Sequence, residues 1–349
     1  MNNKWVIDNI GTAGRADITQ LLDTYSEEDR LYAGEKARQI TRDHFGNKIY
    51  IRGIIEFTNH CRNNCLYCGI RCGNRNVSRY RMSDESILKC CENGYRTGIR
   101  TFVLQGGEDA YYSDDRLCGL VSSIRRQYPD CAITLSVGER SFDSYRKLRE
   151  AGADRYLLRH ETADKEHYSK LHPEGMSFDN RMSCLHDLKK LGYQTGCGMM
   201  VGSPYQTPET LAEDLIFMRG FRPQMVGIGP FLPQKDTPFA QEKPGSVDMT
   251  LFLISLIRIM LPDVLLPSTT ALGTAENDGR IKGILAGANV YMPNLSPEEN
   301  REKYLLYDNK DGLMDDAAYV IQSLKTKLGK YGYQIVTDRG DYEEISDIR

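Results

Sequence analysis

The sequence predicts an α/β protein: a (β/α)8 TIM barrel with a helical N-terminal extension and a C-terminal closing helix. Three observations carry that expectation. One phrase recurs: an amphipathic stretch, a glycine, then a short apolar run. It appears at Thr97-Gly98-Ile-Arg-Thr-Phe-Val-Leu104, Ala151-Gly152-Ala-Asp-Arg-Tyr-Leu-Leu158, Leu191-Gly192-Tyr-Gln-Thr-Gly-Cys-Gly-Met199 and Ala286-Gly287-Ala-Asn-Val-Tyr-Met292. Glycine just past a helix supplies the left-handed cap that ends it. An apolar run too short for a helix and mostly non-alternating reads as a strand buried on both faces. The second observation is the count: eight such runs alternate with helical segments, which argues a closed parallel barrel. The third is that the unusual polar residues fall at strand ends, where a barrel places its chemistry.

Taken in order, residues 1–50 read as a helical preface. Strands are expected at 51–57, 101–105, 132–136, 154–158, 194–201, 224–229, 264–269 and 288–292. Helix starts are signalled by Ser83-Asp-Glu and by Thr207-Pro208-Glu209, with proline at the first helical position. The most apolar run, Leu251 to Leu261, contains Arg258 and is shorter than the ~20 residues that span a bilayer, so it reads as a buried helix. Residues 313–330 read as the closing helix. No low-complexity segment or linker divides the chain, so residues 1–349 are expected to form one domain. Its parts are an extension to about 50, a barrel core over about 51–308 and a C-terminal segment over 309–349.

With 349 residues, a net charge of −3 and 40% hydrophobic residues, the composition is that of an ordinary soluble protein. No basic excess is available to neutralise a phosphate backbone, so nucleic acid is not an expected partner. A membrane is not expected either, and the N-terminus lacks the apolar core of a signal peptide. All ten cysteines lie between Cys61 and Cys197, half of them within Cys61–Cys90. That crowding suits a reducing cytoplasm better than a disulfide framework.

The strand ends carry, in turn, a cysteine loop, Gln105-Gly106-Gly107-Glu108-Asp109, Ser136-Val-Gly-Glu139, Arg159-His160-Glu161-Thr162, Gly196-Cys-Gly-Met-Met200, Gly227-Ile-Gly-Pro230, Ser268-Thr269-Thr270 and Pro293-Asn294. The loop, Cys61-Arg-Asn-Asn-Cys65-Leu-Tyr67-Cys68, sets three thiols at CxxxCxxC spacing. Thiolates bind zinc or iron–sulfur clusters. Cys72 is a candidate fourth ligand for a zinc knuckle, although zinc-ribbon cysteines usually come as two separated pairs.

With an aromatic before its third cysteine, this loop resembles the CxxxCxΦC motif of radical S-adenosylmethionine (radical SAM) enzymes. The resemblance implies that Cys61, Cys65 and Cys68 hold a [4Fe–4S] cluster, whose fourth iron is left for S-adenosylmethionine. One electron from the reduced cluster then yields a 5′-deoxyadenosyl radical. Within that family, Ile54-Ile-Glu-Phe-Thr-Asn-His-Cys61, Tyr80-Arg-Met82, Gln105-Gly-Gly-Glu-Asp-Ala-Tyr-Tyr112, Arg155-Tyr-Leu-Leu-Arg-His-Glu-Thr162 and Met225-Val-Gly-Ile-Gly-Pro230 are similar to the maturases that assemble the active-site cluster of [FeFe]-hydrogenase. The likeness spans about residues 48–308.

It implies cofactor-binding roles for Tyr67, Gly107, Glu108, Ser136, Glu161, Arg181, Met200 and Ile228. Substrate-cavity roles are implied for Arg159, Thr269, Thr270, Tyr304 and Tyr307. Further implications are a small sulfur-containing, cysteine-derived substrate, an external electron donor, other hydrogenase maturases as partners, and anaerobic operation in the cytoplasm. Some members carry a second cluster site near the C-terminus; no cysteine follows Cys197, so one cluster is expected.

Plainer readings stand beside these. Arg181 follows the helical start Ser177-Phe-Asp-Asn and would serve as a solvated helix residue. Glu161 would pair with Arg159. His160 reads as an oriented core residue, because homolysis needs no general base. Met199 and Met200 alternate across a strand, so one of them packs. Tyr304 and Tyr307, three apart on an expected helix, would form a buried face. Cys197 and Cys72 both lie within reach of the expected cavity. The alternative functions are a methylornithine-synthase-like or biotin-synthase-like radical enzyme on a small amino acid, and a non-enzymatic carrier of an iron–sulfur precursor.

Overall fold

The computed structural model describes residues 2–310 and 317–344. Three helices form the N-terminal extension: α1 (Asn3–Asp8), α2 (Arg15–Thr24) and α3 (Glu27–Phe45). Their ends are fixed locally. Ser26 caps α3, its hydroxyl accepting from the Asp29 N–H while the Asp29 carboxylate accepts from the Ser26 N–H at 2.9 Å.

Six parallel strands then follow with helices between them. They are β2 (Gly53–Thr58), β3 (Thr101–Gly106), β4 (Ala132–Ser136), β5 (Arg155–Leu157), β6 (Gln194–Cys197) and β8 (Met225–Val226), hydrogen-bonded in that order. A second sheet runs in the order β10 (Pro267–Ser268), β11 (Val290–Tyr291), β1 (Lys48–Ile51) and β12 (Gln334–Val336). Single parallel bridges, Met225 to Leu265 and Ile54 to Asn294, join the two sheets. The ring of eight is thus completed by isolated pairings and not by continuous ladders. All eight expected strands are present, mostly shorter than expected.

Two strands break where one continuous run was expected. Strand five stops at Cys197 and resumes as β7 (Met200–Val201); strand six stops at Val226 and resumes as β9 (Gly229–Pro230). The cause is a contact between two glycines. Gly198 has φ +155°, and a Cβ there would lie 2.0 Å from the Gly227 carbonyl oxygen. Gly198 can approach the Gly227 backbone this closely only because it lacks a Cβ, whereas a Cβ at Gly227 would meet nothing nearer than Leu157 at 4.0 Å.

The segment expected as a buried helix is α10 (Val247–Met260), which packs against α3. Arg258 is buried on it, and its guanidinium donates to the carbonyls of Gly287, Pro262 and Val264 and to Asn289 Oδ1. That satisfies a charge to which no carboxylate among the described residues is bonded. The expected closing helix is α14 (Ala317–Gly329); residues 313–316 lie outside the described residues.

After β12, residues 338–342 cross the N-terminal end of the barrel. Buried Arg155 donates to the carbonyls of Arg339 (2.8 Å) and Gly340 (2.9 Å) and to the Asp341 carboxylate (2.6 Å). Tyr342 donates to Asp263 at 2.6 Å. The bottom of the barrel is therefore closed by polar contacts to the tail, and the top is left for the site.

Candidate active site

The loop after β2 is shaped by its own polar side chains. Buried Asn59 donates to the carbonyls of Ser78 (2.9 Å) and Lys303 (2.8 Å) and accepts from the Tyr80 N–H. The Arg79 guanidinium donates to the carbonyls of Asn59, Ile70, Arg71 and Asn74, folding the loop around one cation. Gly107, after β3, touches the loop so closely that a Cβ would lie 2.3 Å from the His60 carbonyl oxygen and 2.7 Å from Cys61 Cβ. The loop is thereby held against the barrel rim.

Cys61, Cys65 and Cys68 all lie in this loop as free, half-buried thiols. Burial pushes all three thiols up, with Cys68 reaching about 12; the neighbouring cysteines of the motif add to the shift at Cys65 and Cys68, and Glu108 and Cys72 add to it at Cys61. Backbone N–H groups of Asn63 and Glu108 point at the Cys61 sulfur. Thiols that resist ionisation in the bare protein ligate only where metal cations compensate the thiolates, and N–H···S bonds are what an iron–sulfur site uses to tune its potential. Cys72 is exposed on the outer side of the loop, near Cys61. Among the described residues no three His, Cys, Asp or Glu side chains gather around one point as a single ion requires.

Tyr67 packs with Leu66 against Leu171, Met200, Phe231 and Phe239. Its hydroxyl lies 3.1 Å from His172 Nε2, and His172 Nδ1 lies 2.9 Å from the Tyr168 carbonyl oxygen. A carbonyl only accepts, so Nδ1 carries the proton and Tyr67 donates to Nε2. Burial lowers the His172 pKa to about 3, so the imidazole is neutral. The Tyr168 ring stacks on His172 at 3.9 Å. The Tyr168 hydroxyl is buried without a partner among the described residues, in a setting whose ionisable neighbours are Arg181, Glu139, Cys65 and Glu161. A buried orphan hydroxyl is costly unless something bonds to it, so this position, with Cys65 among its neighbours, fits a polar ligand.

Glu161 is a non-glycine residue at φ +65°. Two contacts hold this turn. The Glu161 N–H donates to the Gly198 carbonyl at 3.0 Å. Fully buried His160 accepts from the Gly198 N–H at Nδ1 and bonds through Nε2 to Asp214, which also accepts from the Ala163 N–H. His160 is thus an orienting core residue, as expected. The Glu161 carboxylate does pair with Arg159, at 2.9 Å. Strain of this kind gathers at functional sites.

Arg181, on α8 (Phe178–Lys190), is buried and not a solvated helix residue. Burial opposes its charge, but Tyr168, Glu139 and Tyr67 outweigh that and push its pKa up. It donates to the Glu139 carboxylate and to the Arg159 carbonyl. Glu108 spends its side chain on structure: one oxygen accepts from the Glu139 N–H at 2.8 Å and the other from Arg62 at 3.0 Å. Ser136 sits at the end of β4, half-buried. Met200 faces Tyr67, whereas Met199 and Ile228 belong to the main core. Cys197 is a correction: it is fully buried in that core, and the ionisable groups near it are Asp214 and Lys189 on the helices α9 (Pro208–Phe221) and α8, so it does not line the cavity.

The substrate-cavity candidates divide. Arg159 has a partly exposed side chain whose buried Nε lacks a partner among the described residues; Thr269 Oγ1, beside Gly229, is likewise buried and unpartnered among them. Thr270 lines a small cavity with Glu56, Asn294 and Lys310. Tyr304 is buried and Tyr307 half-buried. The helix expected to carry both tyrosines is absent: α13 (Glu298–Arg301) ends before them. The carbonyls that would continue it are taken elsewhere, that of Lys303 by Asn59, Tyr304 by Lys310 and Leu306 by the Gly69 N–H.

Several residues here escaped the sequence reading. Glu56 is buried on β2 and paired with buried Lys310, while Asn294 donates to its other oxygen at 2.8 Å. A carboxylate inside an apolar strand was the available signal. His172, Tyr168 and Lys310 carried none.

Residues 55–218 match the model of the Radical SAM superfamily. The chain is 49% identical, over 78% of each chain, to the [FeFe] hydrogenase maturase subunit HydE of Thermotoga maritima. It is 32% identical to 3-methylornithine synthase of Methanosarcina acetivorans, over 84% of this chain and 82% of that one. The crystal structure of a methylornithine synthase superposes with a TM-score of 0.83 at 28% identity, covering 96% of this chain and 97% of the other. Three half-buried cysteines in one loop after β2 and these relatives agree: the chain belongs to the radical SAM superfamily, as an enzyme whose cofactors are a [4Fe–4S] cluster and S-adenosylmethionine.

Proposed function

We propose that the chain is a radical SAM hydrogenase maturase, acting on a small sulfur-containing, cysteine-derived molecule during assembly of the [FeFe]-hydrogenase diiron unit. The observation that carries this reading is the 49% identity to HydE across most of both chains. In it, Cys61, Cys65 and Cys68 hold the cluster. When bound, cluster and adenosylmethionine supply a 5′-deoxyadenosyl radical; what remains is the work of this chain's own side chains.

Gly107 and Glu108 present backbone beside Cys61 and set the loop's distance from the barrel. Arg181, a guanidinium buried beside the Glu139 carboxylate, attracts a carboxylate. Glu161, aimed by its left-handed turn, accepts from hydroxyl or ammonium groups. Ser136 adds a hydroxyl at the rim. Tyr67, Met200 and Ile228 supply an apolar wall for an adenosine and exclude water. Deeper in, Arg159 and the hydroxyls of Thr269, Thr270, Tyr304 and Tyr307 suit an amino-acid-like carboxylate. Other hydrogenase maturases are the proposed partners and the cytoplasm the proposed compartment; among the described residues no helix is long and apolar enough to cross a membrane.

The second reading, a methylornithine-synthase-like enzyme, is favoured by the 0.83 TM-score. A cell-free hydrogenase maturation mixture lacking HydE separates the two. Activation of the hydrogenase on adding this chain, abolished by Cys65→Ala, is the expected result. Formation of 3-methylornithine with no hydrogenase activation would replace the reading.

A further inference from the structure

The wall that carries Tyr304 and Tyr307 has no secondary structure of its own. After α13, residues 302–310 form neither helix nor strand. Their place is set by what they bond to. One flank lies on the cysteine loop. The Gly69 N–H donates to the Leu306 carbonyl at 2.9 Å, and a Cβ on Gly69 would lie 2.0 Å from the Leu305 carbonyl oxygen. Buried Asn59 donates from one amide nitrogen to the Lys303 carbonyl, at 2.8 Å, and to the Ser78 carbonyl, at 2.9 Å. The far flank is held elsewhere. The Asp308 carboxylate accepts from the Lys235 N–H at 2.8 Å, the Asp308 N–H donates to the Pro233 carbonyl at 3.2 Å, and Lys310 pairs with Glu56. Gly69 directly follows Cys68, and Asn59 stands two residues before Cys61. The first and last thiols of the motif are thus close neighbours, in the chain, of the groups bonded to this segment.

We infer that Asn59 and Gly69 are positioning residues: they register residues 302–310, and with them Tyr304 and Tyr307, to the cysteine loop, so that the substrate wall takes its final place only when Cys61 and Cys68 are held on the cluster. The inference rests on the proposed reading of those two tyrosines as substrate-facing. Gly69 lies against the Leu305 carbonyl with no room for a Cβ. A shift of the loop at Cys68 is therefore either followed by that carbonyl or breaks the bond to Leu306, because packed contacts transmit displacement. A buried amide left without its acceptor is costly, so Asn59 favours arrangements in which loop and segment move together. The consequence is chemical. A radical reaction is directed at one atom of the substrate, and a misplacement of about 1 Å can cost about 100-fold in rate. A wall hung from the cluster's own loop keeps substrate and cluster in one frame.

The test is hydrogen–deuterium exchange of the full chain, read by mass spectrometry before and after anaerobic cluster reconstitution, with iron measured in each sample. In the unaltered chain, exchange across 302–310 should slow by about fivefold on loading the cluster. Gly69→Ala, whose Cβ displaces the Leu305 carbonyl, should abolish that slowing. Asn59→Asp should do the same, since it keeps an acceptor for the Tyr80 N–H and loses the donor to Lys303. Asp308→Ala frees the far flank only; it should quicken exchange in both states and keep the slowing. A purely structural role for Asn59 and Gly69 would raise exchange equally with and without the cluster. Exchange across 302–310 indifferent to the cluster in the unaltered chain would overturn the inference, whether or not a variant takes up iron. So would slowing of full size in iron-loaded Gly69→Ala and Asn59→Asp. Exchange that slows in an unaltered chain unable to cleave adenosylmethionine or to activate the hydrogenase would instead overturn the proposed function, with the link between loop and segment intact.

Discussion

His172 is a buried neutral imidazole that fixes the aromatic of the cysteine motif, and its cost appears as pH dependence. Its pKa falls from 6.5 to about 3 on folding. A base with a depressed folded pKa contributes nothing against stability above 6.5, and stability is lost as pH drops from 6.5 toward 3, by up to ~1.4 kcal/mol per unit. His172→Gln should therefore flatten the fall in Tm between pH 6.5 and 5, leaving the smaller share of His167, whose pKa burial also lowers. An unchanged slope would show that His172 is not the buried base responsible. Gly107 makes the complementary point about space. Gly107→Ala drives a Cβ into the His60 carbonyl, which backbone must relieve at about 1–3 kcal/mol. Iron content after reconstitution should fall severalfold while the far-UV circular dichroism stays that of the unaltered protein. The three cysteines were legible because their meaning lies in local spacing. Tyr168, His172 and Lys310 were not, because each acquires its place from a partner brought up by the fold.

Elements were legible where a residue type encodes a local conformation. Gly98, Gly152, Gly192 and Gly287, read as helix caps, all have positive φ, between +75° and +115°. The helix starts at Ser83 and Thr207 are caps in the structure too. Breaks depending on two distant elements were not legible: the mutual contact of Gly198 and Gly227, and the end of α13 before Tyr304, decided by Asn59, Lys310 and Gly69. The turn after β5 shows how an element aims a side chain. Asp214 on α9, fully buried, holds His160 and the Ala163 N–H and so the left-handed Glu161 between them. Asp214→Ala leaves two buried donors unmet and should destabilise by about 2–4 kcal/mol in urea unfolding. Adenosylmethionine should also bind more weakly to it, while a purely structural role would leave that affinity unchanged in the molecules that remain folded.

At the scale of the whole molecule, the barrel was legible from its eight strands, but the strap that closes its base was not. Residues 334–342 join a strand from the chain's start to side chains on the barrel's interior, a pairing of long sequence separation without local pattern. Asp341 is its electrostatic centre. Burial opposes its charge, but Arg339 and Arg155 hold its carboxyl down at about 2. A carboxyl depressed on folding stabilises above its ordinary value of 3.8, and that contribution is lost as pH falls through about 2. Asp341→Ala leaves the fully buried Arg155 without its counter-charge, a change of about 3 kcal/mol, and Tm at pH 7 should drop by several degrees. With the base sealed, chemistry is confined to the top, where three thiols await a cluster with one open iron. The most direct measurement of that claim is EPR of the anaerobically reconstituted, reduced protein, with and without S-adenosylmethionine, alongside chromatography for 5′-deoxyadenosine. The predicted result is a reduced-cluster signal that shifts on adding the cofactor, with nucleoside formed, lost in Cys65→Ala and kept in Cys72→Ala. A signal indifferent to the cofactor, or one that needs Cys72, would contradict the account.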